Sequence, residues 1–178
     1  MFKVVTAKDG REVVIRSIVP SDIKRAKEFA DCLNSVVAEG IYIIFNKKCT
    51  TEEEKEWIKK AIVRVRDDHF TFIVECGGKI VGTATIAREI GTMSHVAAAG
   101  MMIRKGYREI GIGSRLMQTM IDTAKLMKVK LIKLDVFATN KRAWNMYKKF
   151  GFKQVGRIQK HDNLKGKLVD RIILVKKM

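Results

Sequence analysis

The sequence predicts a mixed α/β domain in which one central sheet of about six to seven strands is flanked by four helices. Three observations carry that prediction. Short β-branched runs alternate with helical periodicities along the chain, in the order β, α, α, β, β, β, α, β, α, β, β. The stretch from His95 to Phe137 reads strand, helix, strand, the unit that normally makes a parallel crossover. Pro20 is the only proline in 178 residues and no low-complexity linker interrupts them, so residues 1–178 are expected to form one domain with a sizeable core.

The elements follow in order. Glu12 to Ile18 is β-branched and reads as a strand. Pro20-Ser21-Asp22 opens a helix running to about Val36, with Ser21 or Asp22 as N-cap. Ile41 to Phe45 is a short apolar run of either type. Thr50 and Thr51 precede Glu52-Glu53-Glu54, which fills the first turn of a second helix with negative charge. That helix sets Trp57, Ile58, Ala61, Ile62 and Val65 on one face. Phe70 to Cys76 and Ile80 to Ala87 form a hairpin around Gly77-Gly78. His95 to Ile103 is a strand. Ile112 to Met127 is a helix that turns Leu116, Met117, Met120, Ile121 and Ala124 inward. Leu131 to Phe137 is a strand, Asn140 to Phe150 a short helix ended by Gly151, and Phe152 to Ile158 with Leu168 to Lys176 a closing hairpin.

Composition bounds the function. The formal net charge of +17 favours anionic partners without choosing among them. Nearly half the residues are hydrophobic (47%), which excludes the disordered class. Cys32, Cys49 and Cys76 form no CxxC pair, so no metal site is expected, and a scattered odd set fits a reducing compartment. No signal peptide is visible, and no segment approaches the roughly 18 apolar residues of a membrane span. A cytoplasmic protein without membrane attachment is the expectation.

Chemistry concentrates in Arg104-Lys105-Gly106-Tyr107-Arg108-Glu109-Ile110-Gly111-Ile112-Gly113, which joins a strand to a helix. Gly111 and Gly113 let backbone N–H groups approach a ligand at a helix N-terminus, where the dipole favours an anion. Arg108 adds charge, so a pyrophosphate is the natural guest. A Walker loop requires Lys and Ser/Thr after its last glycine, but Ser114-Arg115 follows Gly113. A dinucleotide fingerprint requires a third glycine where Leu116 stands.

Arg108-x-x-Gly111-x-Gly113 resembles the R/Q-x-x-G-x-G/A signature of the GNAT superfamily of acetyltransferases. Lys105 stands where many members carry proline, and Glu109 where many carry glycine. The resemblance extends to Asn140, Ala143, Tyr147 and Lys149-Phe150-Gly151-Phe152, and so covers about Ile80 to Phe152. It implies acetyl-CoA as acetyl donor. It implies that Arg108, Glu109, Ile110, Gly111, Ile112, Gly113 and Ser114 hold the pyrophosphate. It implies that backbone groups of Met101, Met102 and Ile103 pair with the pantetheine arm, and that Asn140 and Ala143 also contact the cofactor. Tyr147 is implied as the general acid, since a phenol near ~10 can hydrogen-bond a departing sulfur.

Two carboxylates compete as base. Asp135 lies amid Leu131, Ile132, Leu134, Val136 and Phe137, where a carboxylate is out of place unless bonded or useful. Related members that acetylate protein N-termini often carry a glutamate base at that spot. Glu39, with Tyr42, falls where family members build part of the acceptor pocket. The expected reaction moves acetyl from acetyl-CoA to a primary amine in a ternary complex. A peptide amine, a protein lysine, a polyamine and an amino acid all stay open as acceptor, and a homodimer is a family-level expectation. Nucleic acid is not required. The alternatives are a basic nucleic-acid-binding module, supported by Lys160 to Lys177, and an acyl-CoA-binding domain without catalysis.

Overall fold

The computed structural model describes residues 2–40 and 43–178. The predicted mixed sheet is present, with eight strands among the described residues rather than six to seven. They are β1 (Phe2–Thr6), β2 (Glu12–Ser17), β3 (His69–Cys76), β4 (Lys79–Arg88), β5 (Val96–Ile103), β6 (Leu131–Phe137), β7 (Lys153–Leu164) and β8 (Lys167–Lys177). Four α-helices accompany them among the described residues: α1 (Ala26–Glu39), α2 (Thr51–Val63), α3 (Ile112–Leu126) and α4 (Lys141–Lys149). The spatial order is β1-β2-β3-β4-β5-β6-β8-β7. Among the described strands only β5 and β6 run parallel, as the His95–Phe137 unit predicts. No helix among the described residues is long and apolar enough to cross a membrane.

The extra strand, β1, pairs along β2 at the sheet edge and keeps Phe2 and Val4 exposed. A strand wet on both faces has no clean alternation to read. The first helix also differs from expectation. A 3-10 turn over Pro20–Arg25 precedes α1, and neither Ser21 nor Asp22 is its N-cap. Instead, the Asp22 carboxylate accepts the Val19 N–H at 2.8 Å and two bonds from Arg16 at 2.8 and 2.7 Å. α2 begins as read: Thr50 and Glu53 exchange bonds in a capping box. Val65, placed on the buried face of that helix, lies beyond its end and is exposed.

Two apolar layers sit on the sheet. One joins α3 and α4 to it through Leu116, Met117, Met120, Ile132 and Ile172. The other joins α1 and α2 to it through Phe29, Cys32, Ile58, Ala61 and Ile73. The site lies where the sheet between these layers comes apart.

Candidate active site

β5 and β6 pair only through Val96↔Leu131, Ala97↔Ile132 and Ala98↔Lys133. Beyond that point β5 continues to Ile103 beside β4, and β6 continues to Phe137 beside β8. The facing edges of Ala99–Ile103 and Leu134–Phe137 therefore have no strand between them. Sheet edges inside a fold are normally paired, because an unmet buried backbone group costs about 1–3 kcal/mol. A cavity of about 1150 Å³ opens at this gap, lined by Met101, Met102 and Ile103 on one lip and Asp135, Val136 and Phe137 on the other.

At the end of β5 the chain turns through the glycine loop into α3. Gly111 is the N-cap of α3, at φ +93, and offers no side chain to cap the helix. The first N–H groups of a helix have no intrahelical acceptor. Here they belong to residues 112–114, and Gly111, Gly113 and Ser114 line the cavity. At Gly113 a Cβ would stand 3.1 Å from Met146 Sδ, so the absence of a side chain lets α4 approach. Ile112 is buried in the core, and Ile110 packs against it. The Ile110 carbonyl accepts the Lys8 N–H at 2.9 Å, and Arg11 bonds the Gly106 carbonyl at 2.9 Å and covers the Tyr107 ring. The β1–β2 hairpin thus braces the loop. Glu109 occupies a left-handed conformation (φ +67), which explains physically why glycine suits that position.

Arg108 lines the cavity but is engaged within the protein. Its Nε donates to the Ile103 carbonyl at 2.6 Å, and its two terminal nitrogens donate to Glu39 at 2.6 and 2.5 Å. Glu39 ends α1, is not among the cavity-lining residues, and is tied to the loop by this bidentate pair. Tyr42 lies outside the described residues.

Asn140 caps α4, accepting the Ala143 N–H at 3.2 Å, and both residues line the cavity. Tyr147 also lines it, packed at a tilt against Phe152 with ring centroids 5.9 Å apart. Burial pushes the Tyr147 phenol up to about 12. Asp135 is not the buried carboxylate that its apolar neighbours in sequence imply. It is 37% exposed, because β6 has left β5 and this face of the strand opens on the cavity. Arg171 reaches to 4.0 Å from it and bonds Asp162 at 2.9 Å. No group of three or more His, Cys, Asp or Glu that could hold a metal occurs among the described residues.

One cavity residue gave no sequence signal. Glu54, in the first turn of α2, is only 5% exposed yet lines the cavity. The Cys49 thiol donates to its carboxylate at 3.4 Å. Burial pushes Glu54 above the usual carboxylate range, and the Cys49 bond offsets this only in part.

Comparison with known proteins bears on the same segments. The family model described as "Acetyltransferase (GNAT) family" matches residues 38–152. The L-amino acid N-acetyltransferase AaaT of Escherichia coli is 35% identical over 101 residues, covering 55% of this chain and 62% of the relative's own length. Among solved structures, a GNAT-family acetyltransferase from Streptococcus pneumoniae superposes with a TM-score of 0.80 at 25% identity, over 93% of this chain and 99% of that one. A Salmonella typhimurium protein solved with acetyl-CoA as its cofactor superposes with a TM-score of 0.79 at 14% identity, over 93% of each chain.

Proposed function

This chain belongs to the acetyltransferase (GNAT) family, and on that premise we propose that it is an acetyl-CoA-dependent N-acetyltransferase acting on a primary amine by direct attack in a ternary complex. The observation that carries the reading is the parting of β5 from β6 beside a helix start that has no side-chain cap. Acetyl-CoA supplies the activated acyl thioester. The two halves of the cavity suit its two chemistries. The open edge of Met101, Met102 and Ile103 offers backbone groups to an extended, amide-bearing arm, as a sheet edge does to an added strand. The loop from Arg108 through Glu109, Ile110, Gly111, Ile112, Gly113 to Ser114 offers N–H groups and a helix dipole to a pyrophosphate. Asn140 and Ala143 line the same wall.

The proposed roles follow from position. Tyr147 donates a hydrogen bond to the departing sulfur. At about 12 the phenol lies roughly 3–4 units above an ordinary thiol, so it keeps its own proton and acts mainly as donor. Asp135, open to the cavity, takes the amine proton through a bridging water. Glu39 serves by holding Arg108 and the loop in place. A reducing, cytoplasmic setting belongs to the same reading, since all three cysteines are free.

Release of free thiol from acetyl-CoA, assayed across a panel of primary amines, tests the proposal. Release with at least one amine is expected. Tyr147→Phe should then lower turnover at least roughly tenfold with little change in acetyl-CoA affinity. Tight acetyl-CoA binding with no release from any amine would remove the enzymatic claim.

A further inference from the structure

We propose that Glu54 is the recognition point for the cationic group of the acceptor, and that the acceptor is an ammonium ion carried on an apolar body. The inference rests on the acetyltransferase reading and deepens it by naming the class of the second substrate.

Glu54 is a carboxylate with 5% exposure in the wall of the cavity. Among the described residues no lysine or arginine pairs with it, and the donor that reaches it is the weakly donating thiol of Cys49. Scarcity of cations does not explain this, since the chain has 36 lysines and arginines. Lys47 and Lys48 even line the same cavity without forming an ion pair with Glu54. A buried charge without a partner is costly to the fold, so a protein retains one where something else supplies the counter-charge.

The surrounding structure fixes the carboxylate in place. Asn34 on α1 clamps the Cys49 backbone with two bonds of 2.8 Å, one donated by its amide and one accepted from the Cys49 N–H. The Thr50–Glu53 capping box then sets the helix start one turn below Glu54. Leu33, Val36, Phe45 and Trp57 give the same cavity apolar and aromatic surface. An ammonium entering here exchanges a thiol contact for a charge-assisted pair, while its carbon body covers the apolar wall. A neutral or anionic acceptor of the same shape leaves the carboxylate unpaired, so the site selects by penalty as well as by attraction.

Calorimetric titration tests this with defined probes. Coenzyme A replaces acetyl-CoA so that no turnover occurs, and 2-phenylethylammonium is compared with 2-phenylethanol. The wild type should bind the ammonium at least tenfold more tightly than the alcohol, on the order expected for one buried charge pair. In Glu54→Gln the ammonium affinity should fall about 30-fold or more, with the alcohol unchanged. Failure of the ammonium to bind the wild type, or equal affinity in the variant, overturns the proposal. Should the variant not fold, Glu54→Asp, which keeps the charge but draws it back from the cavity, takes its place: its ammonium affinity should fall with the alcohol unchanged, and an unaltered ammonium affinity overturns the proposal. Binding of coenzyme A in the same titrations reports separately on the acetyltransferase reading: loss of coenzyme A binding with the ammonium preference intact removes that reading and not the role of Glu54.

Discussion

Among the described residues two carboxylates lie almost wholly inside the protein, and they are held in opposite ways. Asp22, 1% exposed, receives both terminal nitrogens of Arg16 and the Val19 N–H. Arg16 also bonds Glu75, which accepts from Arg25 as well, and Arg25 in turn bonds Glu28. Burial pushes Asp22 upward, but the bonds from Arg16 and Val19 outweigh it and hold the group below the usual range. Glu54, with a thiol for partner, is pushed the other way by the same burial. The difference separates scaffold from site. Where a carboxylate locks the entry to α1 onto β2, the fold supplies every partner. Where a carboxylate faces the cavity, the fold leaves the partner to a ligand.

Removing the anion should expose that difference. Asp22→Asn leaves Arg16 with a neutral neighbour in a nearly closed site, and unfolding in urea should show a loss of about 3 kcal/mol, the lower end for a broken buried pair because Glu75 still holds Arg16. The pH dependence has a definite sign. Asp22 has a folded pKa below its unfolded value, so its stabilisation is present above the unfolded value and disappears as pH falls through the folded one. A loss below about 0.5 kcal/mol would place Asp22 with ordinary surface pairs and break the comparison.

Glu39 is the intermediate case, since it is paired like Asp22 yet tied to the cavity through Arg108. Glu39→Gln should weaken acetyl-CoA binding roughly fivefold while leaving turnover at saturation nearly unchanged, the pattern of lost positioning rather than lost chemistry. A large fall in turnover with unaltered affinity would return Glu39 to the role of base.

How far the sequence could be read follows the range of the interactions involved. The glycine loop was legible because Arg108 to Gly113 is one contiguous device, and its N-cap at Gly111 depends on no distant residue. Asn140 and Tyr147 were legible for the same reason, seven residues apart on one short helix. Asp135 was legible as an anomaly but not in its setting. The run from Leu131 to Phe137 looks buried throughout, and only the departure of β6 from β5 opens one face. β1 was missed because an edge strand exposed on both faces carries little pattern, although its hairpin braces the loop through Lys8 and Arg11. Glu54 was invisible in a different way. As the third glutamate after a threonine cap it looks like dipole-complementing surface charge, and so do Glu52 and Glu53, which are exposed. Its burial depends on Asn34, fifteen residues before Cys49 in the chain, fastening the segment ahead of α2 onto α1.

That hidden burial gives the smallest and most discriminating effect. Glu54→Gln keeps the shape of the side chain and removes its charge. Because burial raises the folded pKa of Glu54 above its unfolded value, its contribution to stability is present below the unfolded pKa and is lost as pH rises through the folded one. The variant and the wild type should therefore melt together under acidic conditions. The gap should open as pH climbs past the carboxylate range, with the variant the more stable of the two near neutrality. The slope is opposite to that of Asp22, so melting curves of the wild type, Asp22→Asn and Glu54→Gln across pH test both assignments together. A gain in stability accompanied by lost ammonium affinity would mark Glu54 as a group kept for its ligand at the expense of the fold. A wild type more stable than Glu54→Gln at neutral pH would mean that the carboxylate has a counter-charge inside the protein, and the contrast with Asp22 would disappear.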